Sequence, residues 1–360
     1  MSDPGFQPPP LDGIVGHDDA KARLRLAIRR DALSHAYVIT GPRGVGRRTL
    51  ATAMAMALNC ESSAELRPCG ACRQCRRIAR GVHPDVRTIK RSPERRMILL
   101  KEPSASPARD YYDYVDWVQG DAQRRPVEGR SKVYLLLGAE ELLPDAANRL
   151  LKSIEEPTAS VHFILTAGDR GAVLPTIASR CQELRLRPVE RAVIAAALQE
   201  RFGADPERAR GLAALARGAP GWAFTALREP GMVETHQTDV LDLVRLLETS
   251  RVERLLYGRG LAERWTAHPE TVRATLRAWL TWARDLVLWT SGAGERAAHC
   301  SGPAAVALER LAPAVGEGAA IALLRRISAA LADLEANVNA RLVLDLLVLR
   351  FPEPRAARVA

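Results

Sequence analysis

The chain has 360 residues, 47% of them apolar and only 5% aromatic, with a net charge of +10 and a pI near 9.7. That length suits two or three domains with packed cores, and the basic balance permits contact with nucleic acid without requiring it, because an Arg-rich solvated surface reads the same way. No apolar run reaches 18 residues, which argues against a membrane-crossing helix, and Met1–Leu11 carries prolines and no apolar stretch, so no signal peptide and a cytoplasmic location are expected.

Residues Pro8 to Arg30 read as an extended lead-in followed by a helix. Asp18 or Asp19 is placed to cap it, and Ala20, Leu24 and Ile28 share a face. The apolar run Ala36-Tyr37-Val38-Ile39-Thr40 predicts a buried strand, and the pattern Leu50 to Leu58 a helix that runs through Ala51 to Asn59 and ends at Cys60. Between them lies Gly41-Pro42-Arg43-Gly44-Val45-Gly46-Arg47-Arg48-Thr49. A strand, a Gly-rich turn and a helix start are the setting of a phosphate-binding loop, in which backbone N–H groups and a helix N-terminus face phosphates. The working pattern is G-x-x-x-x-G-K-[ST]. Here Arg47 holds the lysine position and Arg48 the hydroxyl position. Arg47 keeps a charge but presents a planar fork, and Arg48 replaces a Mg²⁺ ligand with a cation. Gly41, Gly44, Gly46, Arg47 and Arg48 thus form a degenerate phosphate loop in which ATP is not expected to bind productively. A plain Gly-rich turn is the other reading.

Four of the six cysteines cluster as Cys60, Cys69, Cys72 and Cys75, a C-x8-C-x2-C-x2-C spacing, while Cys181 and Cys300 stand alone. Four thiolates suit a tetrahedral, closed, structural Zn²⁺ site, with Gly70 easing the tight turn. An iron–sulfur cluster, redox thiols or plain burial are the competing readings, although the downstream Cys-Pro typical of a cluster is missing.

Farther on, His83-Pro84-Asp85-Val86 leads into a short strand, Arg91–Pro107 reads as a loop, and Asp110–Gln119 as a helix with Tyr111, Tyr114 or Val115, and Val118 on its core face. Lys132–Leu137 is a continuous apolar run, hence a fully buried parallel strand. A nucleotide-hydrolysing domain ends such a strand in acids that hold Mg²⁺. Leu137 and Gly138 stand there instead, and Glu140 and Glu141 come too late. A helix over Asp145–Glu156 stops at Pro157; strands follow at Val161–Thr166 and Gln182–Leu186. Alternating strands and helices predict a parallel sheet covered on both faces. Beyond Pro188 only helices are expected: three short ones over Val189–Leu227, then Val240–Arg251, Glu270–Thr290, Ala304–Leu311, Ala319–Glu335 and Asn339–Arg350.

The chain resembles the AAA+ clamp-loader subunits of bacterial DNA polymerase III, and among them the delta-prime family. The matching stretches are His35-Ala36-Tyr37 with Gly41–Thr49, the four-cysteine module, Ala146–Lys152 through Glu155-Glu156-Pro157, and Leu174-Pro175-Thr176-Ile177 through Ser179-Arg180-Cys181. The helical C-terminal third matches only by pattern, notably at Asn337–Leu342. The resemblance implies an α/β AAA+ domain over residues 1–187 with its zinc module at 60–75, a helical lid over 188–229 and an all-α collar over 230–360. It implies that Arg180 acts in trans as an arginine finger on ATP held by a neighbouring subunit; a surface ion pair is the other reading of that residue. The implied partners are the gamma/tau motor and delta subunits and, through the complex, the sliding clamp and primer–template DNA, with no membrane. An active motor would need a lid arginine where Trp222 stands. Departures at Arg47, Arg48, Leu137, Gly138 and Trp222 together predict a stator-like subunit that does not hydrolyse ATP. The alternatives are an active gamma/tau-type ATPase and, from another class, a stand-alone zinc-containing nucleic-acid-binding adaptor.

Overall fold

A computed structural model describes residues 8–92, 97–101, 113–299 and 301–353. Among these the chain divides into two compact units. One runs to Ala197 and takes in Gly218–Gly221; the other takes Leu198–Arg217 and the chain from Trp222 onward.

The first unit is built on a five-stranded parallel sheet. Strands β1 (Ala36–Thr40), β2 (Val86–Lys90), β3 (Lys132–Leu137), β4 (Val161–Ala167) and β5 (Gln182–Arg185) lie in the order β2-β3-β4-β1-β5. Parallel neighbours need long crossovers, and helices supply them. α1 (Asp18–Arg29) precedes β1, and the crossovers carry α2 (Arg47–Asn59), α3 (Arg73–Ala79), α4 (Val118–Ala122), α5 (Pro144–Glu155) and α6 (Pro175–Ala178). Period-two alternation sorts each strand between two cores. Tyr37, Ile39, Val133, Leu135 and Ile164 pack on one side with Leu24, Leu50 and Met54. Ala36, Val38, Tyr134, Leu136, Phe163 and Leu165 pack on the other with Leu150 and Ile154. This is the expected α/β architecture, and the burial of both faces explains the largely apolar central strands β1, β3 and β4.

In register, Thr40 of β1 lies opposite Ala167 of β4 and Arg185 of β5, and Leu137 of β3 lies opposite Thr166. The loops leaving β1, β3 and β4 therefore gather along the carboxyl edge of the sheet, where open α/β sheets hold their ligands.

Three local expectations need correction. His17, in the left-handed region at φ 61°, is the N-cap of α1 and makes no side-chain cap, so Asp18 and Asp19 fall in the first turn, where their charge suits the helix dipole. The helix expected over Asp110–Gln119 lies partly outside the described residues; in the described part Tyr114 bridges to Leu99 and the helix is only α4, although Val115 and Val118 are core residues. Helix α2 begins at Arg47, three residues before its apolar pattern does.

After the sheet come α7 (Arg191–Phe202), α8 (Pro206–Ala216), α9 (Pro220–Arg228), α10 (Pro230–Glu248), α11 (Arg251–Ala267), α12 (Pro269–Thr290), α13 (Gly302–Val315), α14 (Glu317–Glu335) and α15 (Ala340–Leu349). The second unit is entirely helical among its described residues. Its core is centred on Trp279 and Trp282 of α12, both fully buried. Their indole N–H groups donate to Asp239 O (2.7 Å) and Ala304 O (3.1 Å), the partners a buried indole needs. Arg254 of α11 is also buried. Its guanidinium donates to Leu246 O, Leu247 O and Phe351 O at 2.8–3.0 Å, taking up two carbonyls at the end of α10 and one beyond the last helix. No described helix is long and apolar enough to cross a membrane.

Candidate functional site

The loop between β1 and α2 is held by three glycines with positive φ: Gly41 at 147°, Gly44 at 80° and Gly46 at 114°. At Gly41 a Cβ would sit 2.5 Å from Leu186 O, so a side chain cannot be accommodated without moving backbone. Gly46 is the N-cap of α2 and carries no capping side chain. The strand, Gly-rich turn and helix start expected from sequence are therefore present.

Its side chains are another matter. Arg47 is the first residue of α2, with its side chain only 19% exposed, and its Nη1 lies 4.0 Å from Glu140 Oε1. Burial lowers the pKa of this guanidinium and the Glu140 charge works against that. Glu140 Oε1 also accepts from Gly168 N at 3.0 Å, so one carboxylate links the loops after β1, β3 and β4. Arg48 is exposed. At the end of β3, Leu137 and Gly138 offer no carboxylate. Gly138 turns with φ 89° into the short 3-10 segment Ala139–Glu141, where Glu141 pairs with Arg91 at 3.2 Å. Trp222 lies in the second unit, edge-on to the His236 ring with centroids 5.9 Å apart.

Arg180 follows α6. Its Nε is 2.6 Å from Glu155 Oε1 at the end of α5, and its Nη1 donates to Thr176 O (2.9 Å) and Ser179 Oγ (3.2 Å). These partners come from α5 and α6, not from the 41–49 loop. The next residue, Cys181, is buried in the core, and burial pushes its thiol up to about 11, leaving it inert at neutral pH.

The four clustered cysteines converge. Their sulfurs all lie within 4.8 Å of one another, with Cys60 and Cys75 buried and Cys69 and Cys72 half-buried. Cys60 closes the C-terminus of α2, Cys72 is the N-cap of α3, and Cys75 lies on its buried face. The Cys72–Cys60 sulfur distance of 4.0 Å is far beyond a disulfide and close to the roughly 3.8 Å edge of a tetrahedron with 2.3 Å metal–sulfur bonds. Backbone N–H groups of Cys69, Cys72 and Cys75 point at the sulfurs of Cys60, Cys69 and Cys72 at 3.3–3.4 Å, the supporting shell that thiolate ligands use. Gly70 turns at φ 71° as the spacing demands. Burial opposes the Cys69 thiolate, but donors from Ser62, Cys72 and Ala71 outweigh it and bring its pKa down to about 6. Burial holds Cys75 as a neutral thiol. A divalent cation would let all four ionise together, and the donor set fits one.

A family model described as DNA polymerase III, delta subunit, matches residues 16–190. Subunit delta′ of DNA polymerase III from Pseudomonas aeruginosa is 34% identical over 243 residues, covering 66% of this chain and 67% of that protein. The chain belongs to the DNA polymerase III clamp-loader family. Subunit tau from Escherichia coli K12 is 31% identical over 227 residues, 62% of this chain but 32% of that protein, so the chain spans about a third of its tau relative. A solved gamma-subunit-related protein from Thermotoga maritima is 17% identical, covering 91% of this chain and 96% of that one, with a TM-score of 0.40.

Three contacts in this chain were not foreseen. His17 Nε2 donates to Val45 O at 2.9 Å, and burial lowers its pKa, favouring the neutral ring. Gly221 N donates to Gly44 O at 2.9 Å, and a Cβ on Gly221 would meet that same oxygen at 2.9 Å. Glu140 reaches back to Arg47. The first two are long-range contacts to backbone carbonyls with no local signature. The third had one: two acids just past a buried strand, one turn away from the missing acidic pair.

Proposed function

We propose that this chain is a non-hydrolysing, stator-like subunit of the bacterial DNA polymerase III clamp loader, working in the cytoplasm. The observation that carries the reading is the pairing of an intact glycine loop with the wrong chemistry around it. Arg47 and Arg48 open α2, Arg47 is drawn toward Glu140, and β3 ends in Leu137-Gly138. A magnesium-bound triphosphate needs an alcohol and carboxylates at those places. Two guanidinium groups repel the metal, and Leu137 cannot bind it.

In this reading Gly41, Gly44 and Gly46 keep the loop's shape for structural reasons. Arg180 is offered in trans to ATP on an adjoining gamma/tau-type motor, where its fork stabilises charge on the transferring phosphoryl group. The ring, including a delta subunit, opens a sliding clamp and places it on primer–template DNA. Cys60, Cys69, Cys72 and Cys75 hold one structural Zn²⁺. Residues 1–187, 188–229 and 230–360 serve as AAA+ domain, lid and collar.

The test is to mix the purified chain with motor and delta subunits, then follow co-elution and ATPase stimulation, alongside ATP·Mg²⁺ binding by the chain alone. Stimulation without binding by the isolated chain supports the reading. The 31% identity to a tau subunit favours an active motor instead, and ATP turnover by the isolated chain that depends on Arg47 would establish it.

A further inference from the structure

Helix α3 carries Cys75 inward and something quite different outward. At 100° per residue, positions 73, 76, 77 and 80 fall within an arc of about 100°. Gln74, Cys75 and Ile78 occupy the opposite side and are buried. All four outward positions are arginine: Arg73, Arg76 and Arg77 in α3, and Arg80 as its C-cap. Arg73 and Arg77 share Glu128, Arg73 at 3.7 Å. Arg76 and Arg80 are exposed and have no acidic partner among the described residues.

Glu128 also fastens α3 to the segment before β3, because Asp85 accepts from the N–H groups of Val127, Glu128 and Gly129 at 2.7–2.8 Å. That segment brings two more exposed arginines, Arg124 and Arg125. An ordinary solvated helix face alternates charge signs, because like charges one turn apart repel. Here the outward face of a helix anchored at Cys72 and Cys75 carries four guanidinium groups, of which Arg73 and Arg77 share the one carboxylate of Glu128, and this suits a partner that supplies closely spaced anions. Arginine forks grip phosphate oxygens. Stretches 60–91 and 121–131 contain no Phe, Tyr or Trp on which unpaired bases could stack, so a single-stranded ligand is disfavoured and backbone contact to a duplex is favoured.

We propose that the outward arginines of α3, with Arg124 and Arg125, form a sequence-independent contact for the sugar–phosphate backbone of duplex DNA, and that the cysteine module is its rigid mount. The proposal rests on the function above only in taking DNA as the substrate of the assembly.

The experiment is an anisotropy titration of a short labelled duplex with the full chain, between about 50 and 200 mM salt. Arg73→Ala/Arg76→Ala/Arg80→Ala is compared with the corresponding triple Lys variant. The Ala variant is expected to bind roughly tenfold or more weakly at the low-salt end, with its log–log salt slope reduced by about 2.7, the value for three lost phosphate contacts. The Lys variant, keeping charge, retains most of the affinity, and both keep the metal content and melting temperature of the parent. Equal affinity and slope for parent and Ala variant would overturn the proposal. So would competition by polyglutamate as effective as that of unlabelled duplex at equal charge, which points to an acidic protein partner. Neither result touches ATPase stimulation by co-assembly, so failure here and failure of the proposed function are separable.

Discussion

Removing Arg180 tests the trans role most directly. In the isolated chain its guanidinium is tethered to Glu155 at 2.6 Å, with both side chains 41% exposed. An ion pair that wet is worth at most about 1 kcal/mol, so lifting Arg180 away from it reduces the available population by no more than about fivefold. A finger that meets a transferring phosphoryl group is worth about 10³-fold, or roughly 4 kcal/mol. The tether is therefore too weak to cancel the gain. Arg180→Ala should lower hydrolysis at the adjoining motor site by about 10³-fold while changing the chain's own stability by less than about 1 kcal/mol. Glu155→Gln should release the guanidinium and leave the rate within about fivefold of the parent, on the faster side. Arg180→Lys should not restore the rate, because an ammonium lacks the planar fork. The assay is single-turnover ATP hydrolysis in assemblies where only the adjoining motor can hydrolyse, with denaturant unfolding of the lone chain in parallel. An Arg180→Ala rate within twofold of the parent would end the trans reading.

Other outcomes follow from the same structure. Metal analysis should find one Zn²⁺ per chain, and Cys75→Ser should lose it and lower the melting temperature; iron, or no metal, would refute the assignment. Arg254→Met should destabilise the helical unit by about 3–5 kcal/mol in urea, because Leu246 O, Leu247 O and Phe351 O lose a buried charged donor at once. Burial raises the carboxyl of Asp239 to about 6, against the pull of the Thr275 hydroxyl. The native state then holds its proton more tightly than the unfolded chain. Its penalty is fully present above pH 6 and fades as pH falls through 6 toward the ordinary carboxyl range. Asp239→Asn should flatten that part of the stability–pH curve, and an unchanged curve would count against the shift.

The centre of the sheet was legible because β3, β4 and β1 are buried on both faces and appear as largely apolar runs, unlike the edge strands β2 and β5. β1 and β3 match their expected bounds, and β4 runs one residue longer. The cysteine cluster was legible because ligand spacing is local. Helix α11 was missed because Gly258 and Gly260 interrupt it and its apolar positions are scattered, with Val252 and Leu256 exposed. A local signal was available at its start: Ser250 accepts from Glu253 N, and Glu253 answers the Ser250 N–H in a capping box. The start of α10 was placed ten residues late because Pro230–Asp239 is mostly polar, while proline at the first helical position marked the true start. Around the loop, the glycines could be read from sequence, but the holds from His17 and Gly221 join residues far apart in the chain.

Those holds bear on why a loop without magnesium chemistry would keep its form. Gly41 is required by Leu186 O, which sits where a Cβ would go. Gly44 O is engaged by Gly221 N, and Val45 O by His17. None of these contacts needs a phosphate. They connect the loop to α1, to the chain leaving β5 and to the start of α9, so relaxing the glycines would disturb packing on several sides at once. None of these contacts involves the side chains at 47, 48 or 137, although Arg47 reaches Glu140 on its own account and Gly138 is fixed by its φ of 89°. On the proposed reading, such a loop keeps the shape of a nucleotide site without its reactivity. The shape then serves to hold the carboxyl edge of the sheet and, on the proposed reading, to keep Arg180 at a fixed distance from the frame that presents it.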